Sequence, residues 1–440
     1  MQDELQVDLD RALLVQVELD NAERDEDLQE LQCLAESAGA CVAGSVICRR
    51  SAPDAAYFIG SGKVQELSQL VLSEGATVVL FNAALSPAQE RNLEKDLGVR
   101  VMDRIALILL IFAQRARSYE GKLQVELAQL RYQQARLVRG WTHLERQQGG
   151  FGVRGGPGET QIELDRRMLR ERIGILQKAL QGVSSRREEN RRSRKKHDLP
   201  TVCLAGYTNA GKSTLFNCLT SAQVYVADQL FATLDPTLRT LELPFAGKTV
   251  FADTVGFIRH LPHDLIAAFK STLEETAQAD LLLHVVDAAD PRLEENIAAV
   301  NAVLRQIGAD RVRTLLVYNK SDLVEGAAFE VVRDERGVPV RAGVSAVTRQ
   351  GVDLLLAAVS ELLTLNVCLF TAMIEFSDGR LRALLYAAGA VERERIAADG
   401  RSELKVRIRP ADAARINSQT SGALARACGG TPWKADPGRA

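Results

Sequence analysis

Eight consecutive residues, Gly206, Tyr207, Thr208, Asn209, Ala210, Gly211, Lys212 and Ser213, constrain this chain more than any other feature, because they fill every required position of a phosphate-binding loop. The apolar run Thr201 to Ala205 ahead of them reads as a buried strand, and Lys212 to Leu219 reads as a helix. A strand, a glycine turn and a helix in that order demand an α/β sheet with the loop at a strand's carboxyl end. Gly206 and Gly211 let the backbone turn sharply and aim N–H groups at phosphate oxygens. Lys212 adds a point charge for the β- and γ-phosphates, and the Ser213 hydroxyl is placed to ligate Mg²⁺. The helix points its positive end at the same phosphates.

A second pattern selects the base. Thr314 to Tyr318 reads as a short apolar strand, which puts Asn319, Lys320, Ser321 and Asp322 just past its carboxyl end. An Asp322 carboxylate can accept from guanine N1–H and N2–H₂, a donor pair that adenine lacks. Buried polar groups left unpaired by the wrong base cost about 1–3 kcal/mol each, so GTP is expected over ATP. Asn-Lys-x-Asp alone is a common turn; its place after the phosphate loop gives it meaning.

The segments that would sense the γ-phosphate lie between. After the strand Thr249 to Asp253, the run Asp253, Thr254, Val255, Gly256 matches the Asp-x-x-Gly of GTPases, with the Asp near Mg²⁺ through water and the Gly N–H within reach of the γ-phosphate. Phe231, Ala232, Thr233, Leu234 and Asp235 form the expected first switch, with Thr233 as second Mg²⁺ ligand and Thr237 as its rival. Val344, Ser345 and Ala346, followed by Gly351, fit a guanine-closing loop, a weak pattern in isolation. Ras-type enzymes place a water-orienting glutamine after the switch glycine, but here stands Phe257, whose side chain neither donates nor accepts. Intrinsic hydrolysis is therefore expected to be slow and to need help, with Lys212, Thr233 and Gly256 as the catalytic set. Asn209 stands where potassium-activated GTPases carry asparagine, which admits K⁺ as added charge. A purely turn-shaping role fits that position equally well.

Composition enters where it excludes alternatives. A chain of 440 residues, 46% hydrophobic, supports two to four domains with real cores. The longest uncharged apolar stretch, Ile105 to Ala113, is far below the roughly 18 residues of a membrane span. Met1 to Asp10 is acidic and polar rather than a secretory signal. The seven cysteines, Cys33, Cys41 and Cys48 among them, include no Cys-x-x-Cys pair, and His260 with His263 makes no metal site. A cytoplasmic, monomeric protein is the expectation.

Ahead of the phosphate loop the chain reads as two parts. Residues 1–103 alternate apolar strands (Leu13 to Val17, Val42 to Val46, Val78 to Phe81, Val99 to Met102) with helical stretches, an α/β domain. Gly60, Ser61, Gly62 and Lys63 lack the spacing of a second phosphate loop and read as a strand-to-helix turn. Residues 104–198 turn helical, with one stripe at Leu123, Leu127 and Leu130 and another at Leu169, Ile173, Leu176 and Leu180. A glycine-rich link carrying Arg139, Arg146 and Arg154 joins the stripes into a hairpin with a positive tip. From Arg146 to Lys196 there are about fourteen basic and six acidic side chains. Such a run is a solvated helix face or a nucleic-acid contact, with even claims.

Over nearly its whole length the chain resembles the HflX GTPases. The likeness rests on Ile59 to Val64, Leu85 to Gln89, Asp103-Arg104, Ile111 to Ala116, Lys122 to Leu130, Gly156 to Gln161, the phosphate loop, Phe231 to Pro236 and Phe257 to Phe269. It implies a translation-factor-related GTPase that binds the large ribosomal subunit and its RNA and acts on stalled or stress-arrested ribosomes, including separating subunits. It also implies that the hairpin tip reaches the peptidyl-transferase region, although Gln147 to Phe151 and the doubled Gly155-Gly156 depart from the usual tip. An RNA-remodelling ATPase or GTPase and a membrane-associated scaffold are the other readings. The first lacks a second complete phosphate loop, and the second lacks an anchor. The expected architecture is multidomain α/β: the N-terminal α/β domain with its helical hairpin, a Ras-like GTPase domain with a mostly parallel doubly wound sheet over 199–365, and a small C-terminal α/β domain over 366–415. In that last domain Val367 to Glu375, Leu381 to Ala388 and Leu404 to Ile408 read as strand, helix and strand, and 416–440 as a flexible tail.

Overall fold

The computed structural model describes residues 10–19, 28–139, 161–196, 199–220, 230–231, 237–244, 246–258, 275–365, 368–397, 400–408 and 410–432. The N-terminal part runs β1 (Arg11–Leu19), α1 (Leu28–Ser37), β2 (Cys41–Arg50), α2 (Ser61–Glu74), β3 (Val78–Phe81), α3 (Pro87–Leu97), β4 (Arg100–Asp103) and α4 (Arg104–Arg115). Its strands form a parallel sheet ordered β2-β1-β3-β4. Successive side chains of a strand face opposite ways, so each apolar strand feeds two cores. Leu13, Val15, Val79 and Phe81 pack with α2 and α3, while Ala12, Leu14, Val78 and Leu80 pack with α1 and α4. The sequence grouped α4 with the hairpin. Its apolar residues, however, circle the helix, and Leu107, Ile108, Ile111 and Phe112 are buried in the second of these cores, so α4 closes the N-terminal layer.

The hairpin is α5 (Tyr119–Arg139) and α6 (Gln161–Lys196). Arg172 donates to Glu126, whereas Arg166 reaches the Leu137 carbonyl, so numbers rise along one helix as they fall along the other and the pair is antiparallel. Both stripes read from sequence meet: Leu123, Leu127 and Leu130 pack on Leu169, Ile173, Leu176 and Leu180. The 36 residues of α6 extend about 54 Å at helical rise. The tip itself, 140–160 with Arg146 and Arg154, lies outside the described residues.

Residues 199–356 build a seven-stranded sheet ordered β10-β11-β9-β8-β5-β7-β6. Its strands are β5 (Thr201–Gly206), β6 (Thr237–Leu243), β7 (Gly247–Asp253), β8 (Leu281–Asp287), β9 (Thr314–Asn319), β10 (Val331–Arg333) and β11 (Pro339–Gly343). The central strands β7, β5, β8, β9 and β11 pair in parallel, and the edge pair β10–β11 is antiparallel. Every residue of β5 is buried, as a strand covered on both faces requires. Helices α7 (Lys212–Thr220) and α8 (Leu293–Gln306) belong to this doubly wound layer, and α9 (Val352–Thr364) begins at its end.

A second compact unit comprises 243–247 and the chain from 357 onward. Strands β12 (Cys368–Ile374), β13 (Val391–Ile396) and β14 (Ser402–Ile408) form an antiparallel sheet ordered β12-β14-β13, with α10 (Gly379–Ala387) between β12 and β13. The expected flexible tail from 416 is corrected over the described residues. Helices α11 (Pro410–Gln419) and α12 (Ala423–Ala427) bury Ile416, Ala423 and Leu424 against Leu381, Leu385, Leu404 and Val406.

Candidate functional site

The phosphate loop leaves β5 where the sheet allows no side chain. A Cβ on Gly206, at φ +155°, would lie 2.1 Å from the Val285 carbonyl oxygen on neighbouring β8. At Gly211, φ +83°, it would lie 2.2 Å from Asn319 Nδ2. Asn209 adopts φ 62°, the left-handed conformation that asparagine tolerates best after glycine, and is exposed. Lys212 opens α7, buried to 7% exposure, and its Nζ donates to the Tyr207 carbonyl at 2.7 Å. Burial pulls this ammonium down to about 8, with Asp253 opposing the shift. Beneath it, His284 on β8 is held down to about 4, first by burial and then by the charge of Lys212. That imidazole is neutral at pH 7 and adds no second positive charge under the loop.

The second switch begins zipped onto the loop. Thr208 N donates to Phe257 O at 2.8 Å, and Phe257 N donates to Gly206 O at 3.1 Å. The Phe257 ring is buried beside Cys203, Ala205 and Ala252, so the residue that replaces glutamine turns into the core rather than toward a phosphate. Gly256 is pressed against the loop: a Cβ there would stand 2.7 Å from Thr208 Cγ2 and 3.0 Å from Lys212 Nζ. Thr254 Oγ1 donates to the Leu204 carbonyl at 2.5 Å, and Val255 is buried.

Ser213 Oγ donates to Asp253 Oδ2 at 2.8 Å, and Asp253 is fully buried. A hydroxyl and one carboxylate are hard oxygen donors of the kind that hold Mg²⁺ jointly with substrate phosphates, so this pair fits the ion. Among the described residues no cluster of three or more His, Cys, Asp or Glu could hold a metal without such help. Thr233, with Ala232, Leu234 and Asp235, lies outside the described residues, as do His260 and His263; Thr237 opens β6. Phe231 is placed: it is 2% exposed and meets Phe112 of α4 edge-on, ring centroids 4.7 Å apart.

At the base end the two expected residues divide. Asn319, 1% exposed, donates from Nδ2 to Ala210 O at 2.9 Å and accepts at Oδ1 from Ala346 N at 3.1 Å. It ties the phosphate loop to the Val344–Ser345–Ala346 segment. Asp322 is exposed, its carboxylate open to a base. Lys320, at φ 60°, pairs with Asp287 Oδ2 at 2.7 Å, and Ser321 N donates to Val344 O at 3.2 Å. Ser345 is fully buried, its amide donating to Gln350 O at 3.0 Å, and Gly351 cannot carry a Cβ, which would stand 2.3 Å from Gly343 O.

Sequence reading missed the other wall. A cleft of about 150 Å³ beside the loop is lined by Tyr207, Thr208 and Asn209 on one side, by His284 and Asp287 on β8, and by Glu30 on α1. Tyr207 OH donates to Glu30 Oε2 at 2.9 Å, and Leu230 N donates to Ser37 Oγ at 2.8 Å. Asp287 could have been found, as a carboxylate at the carboxyl end of a parallel strand. Glu30 carries no such signal.

Three family descriptions match the chain: GTP-binding GTPase N-terminal over residues 25–113, GTP-binding GTPase middle region over 115–194, and 50S ribosome-binding GTPase over 201–320. The GTPase HflX of Escherichia coli (strain K12) is 55% identical over 410 residues, covering 93% of this chain and 96% of that protein. The GTPase HflX of Magnetococcus marinus is 48% identical over 414 residues, covering 93% and 95%. A crystal structure of a GTP-binding protein from the archaeon Sulfolobus solfataricus in complex with GDP is similar at 25% identity and a TM-score of 0.44, covering 81% of this chain and 99% of that one.

Proposed function

The chain belongs to the HflX family of GTPases, and from that premise we propose that it is a GTP-driven switch which binds the large ribosomal subunit, acts on stalled or stress-arrested ribosomes and separates their subunits. One observation carries this reading. Leu230, Phe231, Val255 and Ile258, at the borders of both switches, share a single buried cluster with Leu107, Ile111 and Phe112 of α4 and with Val125 and Ala128 at the base of the hairpin. A cluster packed at that density moves as a unit or not at all, so a change at the γ-phosphate reaches the basic hairpin through side-chain contact.

The residue roles follow from charge and position. Gly206 to Gly211 turn amides toward the phosphates, and Lys212 exchanges the Tyr207 carbonyl for phosphate oxygens. Ser213 would hold Mg²⁺, with Asp253 beside it through water and Thr233 as the second hydroxyl; an ion held there would offset the negative charge of the phosphates. Asp322 reads guanine, while Asn319 keeps the loop and the base pocket in register. With Phe257 buried, no side chain at that position orients water, so the rate depends on a partner that orders the switches. K⁺ at Asn209 is a second source of charge. The left-handed backbone of Asn209 gives that residue a turn-shaping use as well, and equal turnover in K⁺ and Na⁺ would leave only the latter. A cytoplasmic location goes with a ribosomal partner; among the described residues no helix is long and apolar enough to cross a membrane.

Sedimentation with purified subunits tests the reading. Association with the large subunit in a non-hydrolysable GTP analogue, lost in GDP, is the expected result. Indifference to the nucleotide, or preference for the small subunit, would overturn it.

A further inference from the structure

In an open parallel sheet a ligand sits at the carboxyl ends of the strands where the order reverses, here between β1 and β3. The N-terminal sheet fills that crevice with its own side chains. Asn82 Nδ2 donates to Gln16 Oε1 at 2.7 Å, Arg104 Nη1 donates to Asn82 Oδ1 at 2.8 Å, and Arg104 Nη2 donates to Glu30 Oε1 at 2.6 Å. None is more than 8% exposed. The last link leaves the domain, because the other Glu30 oxygen accepts the Tyr207 hydroxyl at 2.9 Å.

Tyr207 is where several constraints on the phosphate loop converge. Its carbonyl holds Lys212 Nζ at 2.7 Å. The residues on either side of it, Gly206 and Thr208, exchange backbone hydrogen bonds with Phe257 of the second switch. Its ring packs at the edge of the clusters on both sides of the domain contact. Fixing the hydroxyl therefore fixes the carbonyl that Lys212 must leave and the strand-like register of the second switch. A carboxylate acceptor strengthens that bond, and a guanidinium with both edges engaged leaves the carboxylate little freedom to turn.

We propose that Glu30, clamped by Arg104, is a positioning residue for the nucleotide site: through the Tyr207 hydroxyl it lets the N-terminal domain set how firmly the phosphate loop retains nucleotide. The idea rests on the GTPase activity and not on the ribosome. Tyr207→Phe is the informative variant, since it deletes one oxygen and leaves the buried Glu30–Arg104 pair intact, whereas removing either charge would strand the other.

The experiment is stopped-flow release of fluorescently labelled GDP from the full chain without ribosomes, alongside thermal melting. Tyr207→Phe should speed release about ten-fold, the worth of one charge-assisted hydrogen bond. Glu30→Gln, which keeps an acceptor, should fall between the parent and Glu30→Ala. Tyr207→Phe combined with Glu30→Ala should release no faster than Glu30→Ala alone, because Glu30→Ala already lacks the acceptor of the Tyr207 hydroxyl. Release within two-fold of the parent in Tyr207→Phe, whether or not its melting point falls, overturns the proposal, as do effects that multiply in the double variant. Loss of subunit binding in sedimentation would leave these outcomes untouched.

Discussion

Two glycine-lysine turns open helices in this chain, and they differ in what presses on them. At Gly62, on the first turn of α2, a Cβ would meet nothing within 4 Å, and at Gly60 it would meet only the movable end of the Arg50 side chain, 2.5 Å from Nη1. At Gly206 and Gly211 it would strike the Val285 carbonyl and the Asn319 amide. The first turn is an ordinary helix start with Gly60 at the N-cap position, whereas the second is closed in by the β8 backbone at Val285 and by the Asn319 side chain at the end of β9. Crowding, not the presence of glycine and lysine, separates a phosphate loop from a turn that resembles one.

The largest expected effect lies at the crowded loop. Gly206→Ala sets a methyl against the Val285 carbonyl, part of a paired strand that cannot give way, and should cost about 3 kcal/mol or more in unfolding free energy, measured by denaturant titration. A variant as stable as the parent would break the comparison. Next comes Lys212→Met, which should lose GTP binding by about a hundred-fold or more, read by equilibrium titration. The same change should raise the melting point of the nucleotide-free protein. The sign follows from linkage: Lys212 is held at about 8, below its ordinary 10.5, so the unfolded chain binds that proton more tightly and the folded state carries a charging penalty. That penalty is complete below pH 8 and fades as the pH climbs toward 10.5, so the stability advantage of Lys212→Met should shrink over the same window.

Asp322→Asn should come third, reducing the preference for GTP over ATP or XTP by about ten- to a hundred-fold in competition binding, since one carboxylate acceptor pair is lost. Undiminished guanine selectivity would assign base reading to another residue. Smallest is Gly62→Ala, which should leave GTP turnover unchanged and stabilise the fold by about 0.5–1 kcal/mol, the ordinary gain from alanine in a helix. A drop in nucleotide stoichiometry in that variant would show that the first turn holds a ligand after all.

What could be read from the chain alone followed the range of the contacts. Gly206 to Ser213, Asp253 to Gly256 and Asn319 to Asp322 are short runs whose chemistry is complete within a few residues, so their types and spacing sufficed. The helix stripes of α5 and α6 were legible because periodicity alone picks the buried face. Glu30 was not, because its partner Tyr207 is 177 positions away and an acidic residue at the start of a helix has a dozen duller uses. The tie that Asn319 makes between two loops was not legible either, because it depends on where Ala210 and Ala346 come to lie in space. The segment after 416 misled through its alanines and glycines, which suit a tight helix contact as well as a linker. Phe257 was read as a missing water-orienting group; its burial adds that the ring helps anchor the second switch while its backbone pairs with the phosphate loop.

We propose that a nucleotide site with Phe257 in the position where Ras-type enzymes place a water-orienting glutamine is completed by the particle the hairpin engages. Steady-state GTP hydrolysis should be measured for the full chain alone, with purified large subunits and with purified small subunits. The claim requires a slow basal rate and a rise of about ten-fold or more with large subunits only, the scale expected when a partner positions groups around the γ-phosphate. A basal rate that large subunits leave unchanged, or that small subunits raise as much, would contradict it.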